Sequence, residues 1–286
     1  MNDCRVWHAG SAYTSDRILE GLRSNGYDDV KVWPNFGRMP TDSDVDRDRK
    51  WLGSGVVVLN GEGTLHDDQS SSRAWLRYCD GMVDGGCSVY LVNSLWQRMG
   101  REAVRILGRF NGLYFRDPWS LGASKLLGEW RADATVTDEL YRDSAGWFIG
   151  DTRLLDSPRV LPGLVCARGN VYTPGPFRDR LGDSHLRMES LPLRGYRGTF
   201  RGYVDHLHHH VYCLYTGEYH GVIAAILAGI NWVAIPAPTW KIEALDHLCA
   251  EEVGVEPQEP PIIGRPYHRE AFRRLRKLNM CEVLGR

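Results

Sequence analysis

The chain has 286 residues, 43% hydrophobic and 25% charged, with a formal net charge of −1. Those are values of a globular protein with one large or two moderate cores, and the near-zero charge gives no global reason to bind nucleic acid, although local clusters can. No stretch approaches the roughly 20 apolar residues of a membrane helix, and the start MNDCRVWHAGS lacks the basic and apolar regions of a secretory signal. Seven scattered cysteines without a C-x-x-C pair favour free thiols in a reducing compartment over a disulfide or zinc framework, so a cytoplasmic protein is expected.

In chain order, CRVWH (4–8) reads as a short strand, AGSAYTS as a turn and DRILEGLRSNG as a helix. VKVW (30–33) and the β-branched run GVVVL (55–59) read as further strands, the second leading into a loop. Residues 70–84 read as a helix, SVYLVN (88–93) as a strand, 96–110 as a helix, GLYFRD (112–117) as a strand, 118–129 as a helix and ATVTD (134–138) as a strand. This alternation predicts βαβ units and a parallel sheet with helices on both faces. After a stretch hard to assign, VYCLYTG, HGVIAAILAG, NWVAIP and TWKIEALDHLCAEEVG repeat the strand–helix order from 211 onward. Apolar residues at 271, 272, 275 and 278 predict one final helix over YHREAFRRLRKLNM, packing back on the first domain. The expected fold is α/β, with Rossmann-like domains over 1–158 and 159–262 and a basic helix over 263–286.

In such sheets ligands bind beyond the carboxyl ends of the strands. The loop NGEGTLHDD places Glu62, His66, Asp67 and Asp68 there as candidate proton acceptors, with Gly61 and Gly63 allowing close backbone approach. Capping of the next helix is the structural alternative for the two aspartates. In TGEYHG, His220 falls at the positive end of an apolar helix, a setting for phosphate or diphosphate. Thr239 and Lys241 of PAPTWK could donate to the same anion, and Glu243 could accept from sugar or ribose hydroxyls. Gly10 and Ser11 of AGSAYTSD offer a weaker phosphate cradle.

HLHHH (206–210) has the look of a metal tract, but strand spacing would put only His206, His208 and His210 on one face, and no carboxylate or cysteine pattern completes a site; no metal is expected. Arg98, Arg101, Arg105 and Arg109 recur at helical spacing opposite Met99, Ala103, Ile106 and Phe110, and the tail from 265 is arginine-rich. Such faces are usually solvated, yet they can also follow a phosphate backbone.

VVVLNGEGTLHDD resembles the strand-end loop of the polysaccharide pyruvyl transferase family. LVNSLWQ, YFRDPWS and ATVTDEL occur in that family's order, and TGEYHGVIAAILAGINWVAIPAPTWKIEAL looks like its C-terminal signature stretch. The resemblance spans about 55–245 and implies a GT-B-like pair of Rossmann-like domains facing a cleft. It also implies donor-site roles for His220 and Lys241. Glu218 stands where the family usually has arginine, and that reversal of charge disfavours phosphoenolpyruvate.

The leading expectation is therefore glycosyl transfer from a nucleotide sugar, with no cofactor. Asp67, Asp68, His66 and His220 are the candidate catalytic residues. Gly10, Ser11, Thr216, Gly217, Glu218, Gly221, Thr239, Lys241 and Glu243 are assigned to the donor, and Glu62, Arg98, Arg101, Arg105 and Arg116 to the acceptor. The acceptor is a saccharide or a hydroxymethylated base in DNA, the latter requiring base extrusion. The alternatives are pyruvyl transfer from phosphoenolpyruvate, with Arg116 or Arg168 replacing the missing arginine, and a non-catalytic binding module of the same fold.

Overall fold

The computed structural model describes residues 2–3, 9–34, 39–136, 164–166, 188–190, 193, 196, 198–211, 213–234, 237, 239–260 and 262–285. The first elements are β1 (Asn2–Asp3), α1 (Ala9–Ser24), β2 (Trp33–Pro34), α2 (Asp42–Leu52), β3 (Val56–Glu62), α3 (Ser70–Asp84), β4 (Ser88–Ser94), α4 (Arg101–Leu107), β5 (Gly112–Phe115), α5 (Pro118–Ser124) and β6 (Glu129–Trp130). They are followed by β7 (Leu164–Cys166), β8 (Met188–Ser190), α6 (Phe200–His210), β9 (Cys213–Thr216), α7 (Tyr219–Ala228), β10 (Asn231–Ala234), α8 (Lys241–Val253), α9 (Pro266–Arg274) and α10 (Met280–Val283). The expected strand at 4–8 and residues 137–138 of the one at 134–138 lie outside the described residues, while residues 134 and 135 form a turn instead of a strand. No helix among the described residues is long and apolar enough to cross a membrane.

Two compact units emerge: Met1–Val6, Thr14–Ala134 and Arg276–Arg286 form unit 1, and Trp7–Tyr13 with Thr135–Leu275 form unit 2. In unit 1 the strands β3-β4-β5-β6 lie side by side in sequence order, every pairing parallel. Parallel neighbours need a crossover, and α3, α4 and α5 supply it. Alternation along the strands explains why both faces are covered. Val57, Leu59, Val89 and Leu91 face one cluster with Trp75, Leu76, Met82 and Leu107, while Val58 and Val92 face a second with Ile18, Leu22, Met280 and Val283. The mixed α/β reading with a parallel four-stranded sheet holds, and the arrangement is compatible with a Rossmann-like fold. Unit 2 carries a second parallel sheet in the order β10-β9-β7-β8.

Several elements differ from expectation: AGSAYTS, read as a turn, is the first part of α1, and the helix read over 118–129 ends at Ser124, with β6 at Glu129–Trp130. α2 went unread because TDSDVDRDRKWL is so acidic; a capping box between Thr41 and Asp44 starts it, and Val45 is its buried apolar residue. The residues of HLHHH form the end of α6 rather than a strand, so their two-residue spacing does not align them on one face. The final helix is broken after Arg274 because the chain turns extended to pair with Ala132, whose N–H donates to the Arg276 carbonyl at 2.9 Å. Pro266–Arg274 thus belongs to unit 2 and Met280–Val283 to unit 1.

Candidate functional site

In unit 1, parallel strands bring their carboxyl ends to one edge. There β3 closes with Asn60, Gly61 and Glu62, β4 with Asn93 and Ser94, and β5 is followed by Arg116 and Asp117. All six polar side chains are buried, Glu62 at 7% exposure. Such a concentration of polar groups is costly without internal hydrogen bonds. Asn93 Nδ2 donates to Asn60 Oδ1 and Asn60 Nδ2 donates to Glu62 Oε1, each at 3.2 Å. The Leu95 N–H reaches the Glu62 carbonyl at 2.7 Å. Gly61 has no room for a side chain, since a Cβ there would stand 2.3 Å from Ser94 Oγ. Asp117 caps α5 through Ser120 N at 2.7 Å and Ser120 Oγ at 2.8 Å, and burial pushes its carboxyl above the ordinary value.

Backbone strain collects in the same loops. Glu62, Asp67, Asp68, Asn93 and Arg98 adopt φ of 37°, 54°, 47°, 52° and 51°. Among the described residues the other non-glycine case is Lys125, the C-cap of α5. Each such residue costs on the order of 1–3 kcal/mol, and strain of this kind gathers at functional sites.

The acidic loop divides into distinct roles. Asp67 is engaged on both oxygens, by His66 Nδ1 at 2.8 Å and by the Arg98 guanidinium. Hydrogen bonds from His66 and then Arg98 hold its carboxyl below the usual range, which makes it a weak proton acceptor. Asp68 pairs with Arg73 Nη1 at 3.1 Å. Neither aspartate is the N-cap of α3, a position held by Gln69. Glu62, read as one of four candidate proton acceptors and assigned to acceptor binding, is the carboxylate placed at the strand end.

The arginine ridge is not one helical face. α4 starts at Arg101, so Arg98 lies in the preceding loop against Asp67. Arg105 pairs with Asp80 at 3.1 Å, and Arg109 with Asp80 and with Asp84, the latter at 2.5 Å. Ala103 and Ile106 are buried as expected, with Met99 and Phe110 packed beside them. Arg116 is 2% exposed and belongs to the strand-end cluster, not to a surface ridge. Arg168 lies outside the described residues.

In unit 2, β9 ends at Thr216 and α7 begins at Tyr219, with Glu218 as N-cap but making no side-chain capping bond. The Glu218 N–H donates to Thr216 Oγ1 at 3.0 Å. Gly217 lies in this turn, and Gly221 admits the same hydroxyl, since a Cβ there would stand 2.7 Å from it. His220 is 5% exposed, edge-on to Phe200 and Tyr219 at 6.5 and 5.6 Å between ring centres. Gly10 and the buried Ser11 lie inside the first turn of α1, not in a loop before a helix. A Cβ on Gly10 would stand 2.5 Å from the His220 Cβ, so this glycine makes room for the ring. Burial, then the Glu218 charge, raises the pKa of Tyr203. Lys241 opens α8, Thr239 is buried just before it and Glu243 lies in its first turn. Thr239 Oγ1 and Glu243 Oε2 are buried without a hydrogen-bond partner among the described residues.

Sequence reasoning missed two clusters. Asn60 and Asn93 lie in the quoted segments NGEGTLHDD and LVNSLWQ but were given no role; their signal was position, each falling at the end of a buried strand. Asp246 is the other, a buried carboxylate joined to His268 Nε2 at 2.9 Å, Gln258 N at 2.7 Å and the Tyr267 hydroxyl. It ties α8 to α9 and to the segment between them.

No family model and no curated protein sequence matches the chain. Among solved structures, an uncharacterized protein of Klebsiella pneumoniae subsp. pneumoniae NTUH-K2044 is similar over 85% of each chain, at 12% identity and a TM-score of 0.47.

Proposed function

We propose that this chain is a GT-B-like glycosyltransferase that moves a sugar from a nucleotide-sugar donor to a saccharide hydroxyl, unit 1 serving the acceptor and unit 2 the donor. The observation that carries the reading is Glu62, a buried carboxylate at the carboxyl end of a parallel strand, held by an asparagine and flanked by left-handed backbone. Glu62 takes the proton of the acceptor hydroxyl as its oxygen attacks the anomeric carbon. The bond from that carbon to the diphosphate breaks, and the nucleoside diphosphate leaves with the electron pair. The N–H groups at the start of α7, with Lys241 and Thr239, supply donors for its charge. Glu218 at the same helix start disfavours a small donor that carries both a carboxylate and a phosphate, such as phosphoenolpyruvate, and suits a sugar hydroxyl.

Thermal shift against UDP-sugars, other nucleotide sugars and phosphoenolpyruvate tests the donor. Stabilisation by a nucleotide sugar supports the reading; stabilisation by phosphoenolpyruvate alone overturns it in favour of pyruvyl transfer.

A further inference from the structure

The amides beside Glu62 form a hydrogen-bond chain with a direction. An ionised carboxylate can only accept. Asn60 must therefore turn its NH2 toward Glu62 and its Oδ1 away. That oxygen meets Asn93 Nδ2, so the Asn93 amide is fixed in turn, with its NH2 inward. What remains is Asn93 Oδ1, buried in a residue 1% exposed and without a hydrogen-bond partner among the described residues. A buried carbonyl oxygen left in this state calls for an explanation, and a ligand donor is one. The backbone agrees, because Asn93 holds φ 52° at the end of β4, in the row of strand ends that includes Glu62.

We infer that Asn93 Oδ1 is a specificity-determining acceptor, receiving a hydrogen bond from a hydroxyl of a neutral saccharide. A donor is required, since the fixed amide presents only an oxygen. Neutrality follows from the surroundings. Glu62 would welcome an ammonium, but the buried Arg116 guanidinium flanks the same loop, 3.8 Å from where a Gly63 Cβ would stand, and disfavours a second cation. The inference deepens the saccharide reading above and rests on it for the ligand class, while its test concerns binding alone.

The test is an NMR titration of protein labelled with 15N at asparagine. The probes are the methyl α-glycosides of glucose, galactose and mannose, with methylammonium chloride in parallel. Saturable movement of the Asn93 and Asn60 side-chain NH2 signals by at least one glycoside, with no response to methylammonium, is the expected result. Asn93→Gly then isolates the side chain, because glycine tolerates the left-handed backbone. It should weaken glycoside binding about tenfold, the worth of one buried hydrogen bond, while relief of the left-handed backbone offsets part of the stability lost with the Asn60 bond and the free protein stays folded in urea and thermal unfolding. Response to methylammonium alone, no response to either probe, or unchanged binding in Asn93→Gly would each overturn the inference. Should glycosides bind as expected while no nucleotide sugar stabilises the protein, the glycosyl-transfer reading falls and the Asn93 assignment stands.

Discussion

Both units place polar residues among glycines just past a buried parallel strand, yet the two places are built in opposite ways. After β3 and β4 the side chains are mutually hydrogen-bonded polar groups on left-handed backbone. After β9 the residues close into a packed turn, with Thr216 under Gly221 and His220 between Gly10 and two aromatic rings. A glycine beside a polar residue is thus an ambiguous signal. Gly61 lets the backbone lie against Ser94 so that Glu62 can stand at the strand end, whereas Gly10 gives up its volume to a histidine ring.

The sharpest way to break the contrast is at the carboxylates. Glu62→Gln keeps shape and removes the proton acceptor, so turnover in the proposed glycosyl transfer should fall about 10²–10⁴-fold while any stabilisation by a nucleotide sugar is kept. Asp67→Asn should retain activity within a few-fold, since its carboxylate already serves His66 and Arg98. Assays on the two variants with one donor and one acceptor decide; if Asp67→Asn is dead and Glu62→Gln active, the roles are reversed.

On the packed side the expected effect is on stability. Gly10→Ala puts a Cβ within 2.5–2.6 Å of the His220 Cβ and Cγ, atoms too close to the backbone to swing away. Overpacking of this kind costs about 1–3 kcal/mol. Gly63→Ala is the counterpart, with 3.8 Å to its nearest neighbour, and should be nearly neutral. Urea unfolding of both reads the difference, and equal midpoints would remove the packing account of Gly10.

A buried carboxylate anchors each unit as well. Asp48 accepts from Lys31 Nζ at 2.5 Å, Trp33 Nε1 at 2.7 Å, Tyr78 OH at 3.0 Å and Arg47 Nε at 3.0 Å. Burial pushes its carboxyl up, but those bonds outweigh it and bring the group from 3.8 to about 2. A depressed folded-state value stabilises above the unfolded value and is lost as pH falls, here between about 4 and 2. The contribution is about 2 kcal/mol at neutral pH. Asp48→Asn should flatten that part of the acid-stability curve. Asp246 is shifted in the same direction, its bonds from His268 and Tyr267 outweighing burial.

Three strands of the unit 1 sheet, β3, β4 and β5, were legible because buried parallel strands are continuous apolar runs and their crossovers are amphipathic, and 70–84 was read to the residue; the two-residue β6 was missed. α2 was not, because its charges hide a helix whose capping and ion pairs replace an apolar stripe. The site was half legible. Loop position pointed to NGEGTLHDD, but that Asp67 is committed to Arg98 and His66 depends on partners set by loop geometry. Local pattern put Asn93 at a strand end but not beside Asn60, since that pairing is made across strands.

The smallest effect concerns the arginines, and it bears on the acceptor. Arg105 and Arg109 are exposed or half-exposed and paired with Asp80 and Asp84. Exposed pairs are worth about 0–1 kcal/mol, so Arg105→Ala should move the melting temperature little. The same pairing matters more for polyanion binding, since Arg98, Arg105 and Arg109 each already face a carboxylate and offer little free positive charge. A protein that neutralises several phosphates loses affinity for DNA steeply with salt. Duplex DNA should therefore bind weakly and with a shallow salt dependence, unchanged in Arg105→Ala. Tight binding with a steep slope that Arg105→Ala reduces would restore a hydroxymethylated base as the acceptor and leave Glu62 to deprotonate it.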